Sequence, residues 1–170
     1  MAHCLFDGIE SAFIEIDNKF GKNIIVGTLY RPPRNNINNF LENLDKTLDH
    51  ISSENKHIYM MGDFNIDLSH SLQNMSSNTS PRLTENHITV NNSNAFLNIL
   101  SSYAFSPCIN VSTRITPMSA TLIDNIFTNS SIDNNSGAFT YDVTDHLPIF
   151  LISSELKFNQ AKKVNRKQHL

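Results

Sequence analysis

The chain has 170 residues, 39% hydrophobic and 17% charged, with a formal net charge of −3. That is room for one domain, in the balance of a soluble globular fold rather than a disordered chain. Five glycines and six prolines exclude a collagen-like or linker-dominated chain, and the acidic balance is not that of a protein held to duplex DNA by broad phosphate neutralisation.

The start, Met1–Asp7, has neither a basic region nor a long apolar core, so no signal peptide is expected. No apolar run approaches the roughly 20 residues that span a bilayer. Ser11–Ile16 (SAFIEI) and Asn23–Tyr30 (NIIVGTLY) predict two strands joined by the polar turn Asp17–Lys22, a hairpin within a larger sheet. Arg31-Pro32-Pro33 stops the second strand, because proline cannot donate to a ladder. Asn35 or Asn36 can cap the next element. Ile37, Phe40, Leu41, Leu44, Leu48 and Ile51 then recur at helical spacing, the clearest helix in the chain. His57–Met61 predicts a short buried strand that ends at Gly62-Asp63-Phe64-Asn65. His70–Asn92 is polar and aperiodic and predicts a long surface loop. Ala95–Tyr103 predicts a second helix, and Leu122–Phe127 a strand with an acid inside it. Asp142–Phe150 leads through Asp145-His146 into a last strand. This alternation indicates a layered α/β (α+β) architecture without internal repeats.

Cys4 and Cys108 are isolated, which argues against a zinc ribbon or a thioredoxin-like site and fits a reduced, intracellular setting. Sequons such as Asn74-Met75-Ser76 are expected by chance in an Asn- and Ser-rich chain. Lys157, Lys162, Lys163, Arg166 and Lys167 read as a solvated tail or, alternatively, a linker or phosphate-steering arm.

Four polar stations stand at strand ends or within strands. They are Tyr30, the pair Asp63 and Asn65, Asp124, and Asp145-His146. Alternation puts Asp63 and Asn65 on one side if the chain stays extended. Each station has an ordinary reading: a strand-end tyrosine, a Gly-Asp-Asn turn, a paired buried carboxylate, an Asp-His turn. Together they suit divalent-metal phosphodiester hydrolysis. A cation polarises the phosphoryl oxygen, a carboxylate or carboxylate–histidine pair activates water, and amide, phenol and imidazole donors meet the developing charge.

GTLYRPP, GDFNIDL, TRITPMSATLIDNIFTN and TDHLPIF occur in this order. In them the chain resembles the endonuclease/exonuclease/phosphatase superfamily, most of all the apurinic-type endonuclease domain of non-LTR retrotransposons, from about Glu10 to about Ile152. The resemblance implies an incomplete four-layered αββα sandwich of two packed mixed sheets. It implies that Tyr30 contacts the scissile phosphate, Asp63 activates water, Asn65 binds phosphate, Asp124 pairs with the catalytic His146, and Asp145 belongs to the metal site. Arg114, Thr121 and Asn125 are its implied substrate contacts. Mg²⁺ (or Mn²⁺) is the implied cofactor and DNA the transient partner. No membrane is expected, the implied location is intracellular, nuclear if the domain works as a retroelement endonuclease, and a reverse transcriptase would lie on a longer parent polypeptide.

The front departs from the family pattern. A family domain begins with a strand ending in asparagine and another ending in a Gln-Glu metal motif, whereas Glu10 and Glu15 align with a later strand. Residues 1–155 are therefore expected to form an N-terminally truncated domain, followed by a basic tail at 156–170, with weakened Mg²⁺ affinity. A catalytically inactive remnant, or another phosphodiesterase, phosphatase or deadenylase of the same fold, stays open as an alternative.

Overall fold

The computed structural model describes residues 9–76, 87–131, 135–140 and 143–154. Cys4, the Met1–Asp7 start and the basic tail at 156–170 lie outside them. The two apolar runs either side of the Asp17–Lys22 turn form β1 (Glu10–Ile16) and β2 (Ile24–Tyr30), antiparallel, with Ile16 opposite Ile24 and Glu10 opposite Tyr30. Asn36 caps α1 (Ile37–Ser52), its side chain accepting from the Asn38 amide at 2.9 Å. The helix buries Phe40, Leu44, Leu48 and Ile51, members of the stripe that the spacing predicts. β3 (His57–Asp63) then returns parallel to β2. Parallel neighbours need a long crossover between them, and α1 supplies it.

The region read as a surface loop at His70–Asn92 is helical over most of its described part. α2 (Ser69–Ser76) spans its start, α3 (His87–Ser102) begins inside it, and 77–86 lie outside the described residues. The reason is chemical. Ser71 and Ser93 are buried where α2 meets α3 and share a 2.6 Å hydrogen bond, so a hydroxyl pair fills a contact where apolar periodicity would be sought.

Short strands complete the molecule: β4 (Ser106–Pro107), the hairpin of β5 (Arg114–Thr116) and β6 (Ser119–Thr121), β7 (Asp124–Thr128), β8 (Asn135–Ala138) and β9 (Ile149–Ile152). The main sheet runs β1-β2-β3-β7-β4, with β2–β3 parallel and its other pairings antiparallel. β5–β6 and β8–β9 are two-stranded sheets. The result is a mixed α/β fold with a mixed sheet and further small sheets. No helix among the described residues is long and apolar enough to cross a membrane.

One set of alternate strand residues, Phe13, Ile25, Leu29, Ile58 and Met60, is clustered with the buried stripes of α1 and α3. Four fully buried rings join strand, loop and helix. Phe64 lies 5.1 Å from Phe96 and 5.3 Å from Phe127, and Phe96 lies 6.1 Å from Phe40. The other alternate set, including Ile24, Val26, Met61 and Ile126, lines a groove of about 430 Å³ shared with Phe150 and Leu151 of β9.

Phe64 anchors the Asp63–Asn65 loop in this cluster. Truncating a buried ring removes its transfer energy and leaves a cavity. Phe64→Ala is expected to cost about 3–5 kcal/mol in urea unfolding. A cost below about 1 kcal/mol would show that the ring does not anchor the loop.

Candidate functional site

The site is built by strand register. β2 and β3 are parallel and place Tyr30 beside Asp63; β3 and β7 are antiparallel and place Asp63 beside Asp124. Tyr30, Asp63 and Asp124 therefore form a row across three neighbouring strands at one end of the sheet. His146 completes it from the segment before β9. Its Nδ1 lies 3.0 Å and 3.2 Å from the two carboxylate oxygens of Asp124. The pair is partly buried, so it is less screened by water than a surface pair.

The Asp63–Asn65 loop is pinned from both sides. The Asn65 amide donates to Asp63 Oδ1 at 2.9 Å, and Asn65 Nδ2 donates to the Arg31 carbonyl at 2.9 Å. Asn65 sits at φ 47°, a left-handed conformation that asparagine tolerates better than most residues. This turn supersedes the extended geometry in which alternation would align Asp63 with Asn65. The Phe64 amide donates to the Ile123 carbonyl at 2.9 Å, tying the loop to the residues before Asp124.

Two further residues hold the surrounding segments together. Thr113 is fully buried. Its Oγ1 accepts from the amides of Ile123 (3.2 Å) and Asp124 (3.0 Å), its own amide donates to Thr121, and its carbonyl accepts from Leu147. One threonine thus ties the hairpin strand β6, the Asp124 strand and the His146 segment. Asp67 Oδ1 accepts from Ser69 N, Ser69 Oγ and Leu122 N, between 2.6 and 3.1 Å. Sequence reading singled out neither residue. Asp67-Leu68-Ser69 at the start of α2 carries a capping signature that points to the aspartate. A lone buried threonine carries no such signal.

Other candidates are placed differently. Arg114 bridges to His146 through the backbone, and its Nε donates to Asp145 Oδ2 at 2.8 Å, an exposed ion pair. That pairing holds the Asp145 carboxyl below the ordinary aspartate range, chiefly through the Arg114 hydrogen bond. Thr121 lies opposite Arg114 in the β5–β6 hairpin, whose tip residue Met118 is 93% exposed. Asn125 is a correction to the set of substrate contacts. It is 0% exposed; its Oδ1 accepts from the Ile109 amide at 3.1 Å and its Nδ2 donates to the Ile109 carbonyl at 2.8 Å. Its amide is spent on the backbone inside the protein.

Among the described residues, one group can hold a metal: Asp63, Asp124 and His146, whose ligand atoms lie within 4.8 Å of one another. Asp145 stands outside this group, with its carboxylate on Arg114. Two carboxylates and an imidazole suit a hard or borderline divalent ion. The electrostatics fit as well. Burial holds the Asp63 carboxyl above the ordinary aspartate range; the Asn65 amide opposes the rise and the neighbouring Asp124 charge adds to it. A cation beside the two acids would relieve that crowding.

With this geometry in hand, a family model described as endonuclease-reverse transcriptase matches residues 24–150. Among solved structures, the chain is similar to the endonuclease domain of TRAS1, a telomere-specific non-LTR retrotransposon. The TM-score is 0.57 at 13% identity, covering 83% of this chain and 60% of that one. It is similar to an endonuclease/exonuclease/phosphatase family protein from Leptotrichia buccalis C-1013-b (TM-score 0.55, 17% identity, 87% and 53% covered). It is also similar to the catalytic domain of Xenopus laevis APE2 (TM-score 0.55, 18% identity, 83% and 54% covered). The chain spans 53–60% of the length of these structures. At such identities the likeness shows the fold, that of endonuclease/exonuclease/phosphatase proteins. No curated protein matches the sequence.

The raised Asp63 pKa has a thermodynamic consequence. In the window between the ordinary aspartate value and the raised one, the folded chain holds a proton that the unfolded chain has lost, so stability falls as pH rises through it. Asp63→Asn keeps an acceptor for the Asn65 amide and removes the charge. The variant is expected to be more stable than the parent above that window and to lose the advantage below it, measured by urea unfolding at stepped pH. An advantage that grows on acidification would contradict the sign.

Proposed function

The chain belongs to the endonuclease-reverse transcriptase family, and from that premise we propose that it carries the active site of a divalent-metal-dependent DNA endonuclease domain of a non-LTR retroelement. Its reaction would be hydrolysis of one phosphodiester bond at a target site. The observation that carries this reading is the row Tyr30–Asp63–Asp124 with His146 held on Asp124.

Each residue has a role that its surroundings favour. Asp63, with its raised affinity for a proton, takes the proton of the attacking water. Asp124 orients His146 through Nδ1, so that a protonated ring would donate its Nε2–H to a phosphoryl oxygen. The second Nδ2 hydrogen of Asn65, beyond the one on the Arg31 carbonyl, and the Tyr30 hydroxyl would be further donors at the same end of the sheet. The chemistry that a magnesium or manganese ion would supply is polarisation of a phosphoryl oxygen and stabilisation of the leaving oxygen. Asp63 and Asp124 are the carboxylates favoured to hold it, while His146, engaged through Nδ1 with Asp124, faces substrate.

Substrate contacts are assigned to Arg114 and to the hairpin bearing Thr121. Ile115 and Met118 are exposed beside that arginine, an apolar tip next to a cation. DNA is read as a transient partner, since the chain as a whole is acidic. Residues 1–155 are taken as the domain portion and 156–170 as its basic tail. A reverse transcriptase on the same longer polypeptide, and work in the nucleus, belong to the same proposal.

A second reading, a member of the family without turnover, is favoured by the Asp145 carboxylate, which is held on Arg114 and stands outside the group that can hold a metal. Nicking of supercoiled plasmid with Mg²⁺ or with chelator separates the two. On the first reading the parent nicks, chelator stops it, and Asp63→Ala and His146→Ala each slow it by roughly 10²–10⁴-fold. A folded parent that never nicks, or variants as fast as the parent, would sink the endonuclease reading for this chain.

A further inference from the structure

We propose that Arg31 is a positioning residue, whose buried guanidinium sets the conformation of the loop that carries Asp63 and Asn65. The proposal rests on the reading of those two residues given above. Arg31 follows Tyr30 directly, at the exit of β2, yet it is only 7% exposed. A charged side chain in that position loses much of its hydration and must be repaid by hydrogen bonds.

The bonds it makes join two segments. Nη1 donates to the Asn65 carbonyl at 3.1 Å and lies 3.5 Å from the Phe64 carbonyl, while Nη2 donates to the Asn35 carbonyl at 3.0 Å. The backbone of the same residue adds two more links. Its amide donates to the Asp63 carbonyl at 3.0 Å, and its carbonyl accepts from Asn65 Nδ2 at 2.9 Å. Its guanidinium carbon sits 5.8 Å from the centre of the Phe40 ring, which ties the assembly to α1. Arginine is suited to this span because its planar fork carries several donors in fixed directions; a lysine ammonium is a point charge and cannot cover both segments in the same way.

The bonds also explain a local departure from extended backbone. Asn65 turns through φ 47°, and the carbonyls of Phe64 and Asn65 are the ones directed to the fork. Were Arg31 only filling space, an apolar side chain would serve the interior as well or better. Its targets are instead the main-chain oxygens of the loop that holds a reactive carboxylate.

The test compares Arg31→Met and Arg31→Lys with the parent, by amide NMR of Asp63–Ile66 and by plasmid nicking with kcat and KM separated. Arg31→Met is expected to fold, to shift the Phe64 and Asn65 amide resonances, and to lose roughly 10–100-fold in kcat with KM little changed. Arg31→Lys is expected to recover part of both effects. A parent that does not nick defeats the endonuclease reading but not this one, which the resonances still decide. Should Arg31→Met fail to fold, Arg31→Lys decides by the same measurements. Parent-like loop resonances with parent-like kcat, in whichever variant decides, would overturn the proposal.

Discussion

Everything at the site depends on how closely β3 approaches β2 at Gly62. A Cβ built on that glycine would lie 1.7 Å from the Leu29 carbonyl oxygen. The obstacle is backbone, so no rotamer change relieves it. Only a residue without a side chain lets the two parallel strands stay in register to their last pair, Tyr30 with Asp63. One step across, the antiparallel pairing of β3 with β7 carries that register on to Asp124. The glycine of G-D-F-N is thus the condition for a tyrosine and two acids, far apart in the chain, to stand side by side.

That arrangement has a stability cost, and the surrounding packing offsets it. Asp63 sits half-buried beside Asp124, and burial first, then the neighbouring charge, disfavour its ionised form. Against this stand the four-ring cluster around Phe64 and the backbone links made by Thr113, Asp67 and Arg31. Each of those residues is turned to the main chain of a site-bearing segment. The interior therefore spends polar groups on holding geometry, as expected where a functional site departs from the most stable arrangement.

What could be read from sequence follows from which interactions are local. α1 was legible because its stripe repeats every three or four residues and its cap is a single asparagine. β1, β2 and β3 were legible because apolar runs end at the polar turn Asp17–Lys22, at Arg31-Pro32-Pro33 and at Gly62-Asp63. The stations Tyr30, Asp63, Asp124 and His146 were legible as polar interruptions at strand ends or within strands, and the family resemblance implied that they meet; the register that joins them is a long-range property that composition and periodicity do not carry. α2 and the start of α3 escaped because Ser71 and Ser93 occupy their contact. Asn125 was misplaced for a similar reason. An asparagine in a strand next to an acid looks available, and nothing local reveals that Ile109 uses both of its amide atoms. Arg31 was read only as part of a strand stop, because its carbonyl partners at Phe64 and Asn65 lie more than thirty residues on.

The Asp145-His146 dipeptide shows how one short motif can serve two purposes. Here Asp145 meets Arg114 on the hairpin while His146 meets Asp124 on the main sheet. The two pairs differ in environment. Arg114–Asp145 is exposed on both sides, so water screens it and it contributes little. His146–Asp124 is more enclosed, and Thr113 fixes the backbone on both sides of it. On the proposed reading this difference matters. A phosphate oxygen competing for Arg114 would displace a weakly held, exposed partner. On that reading the hairpin would exchange its contact for substrate while Asp124 and Thr113 keep His146 in place.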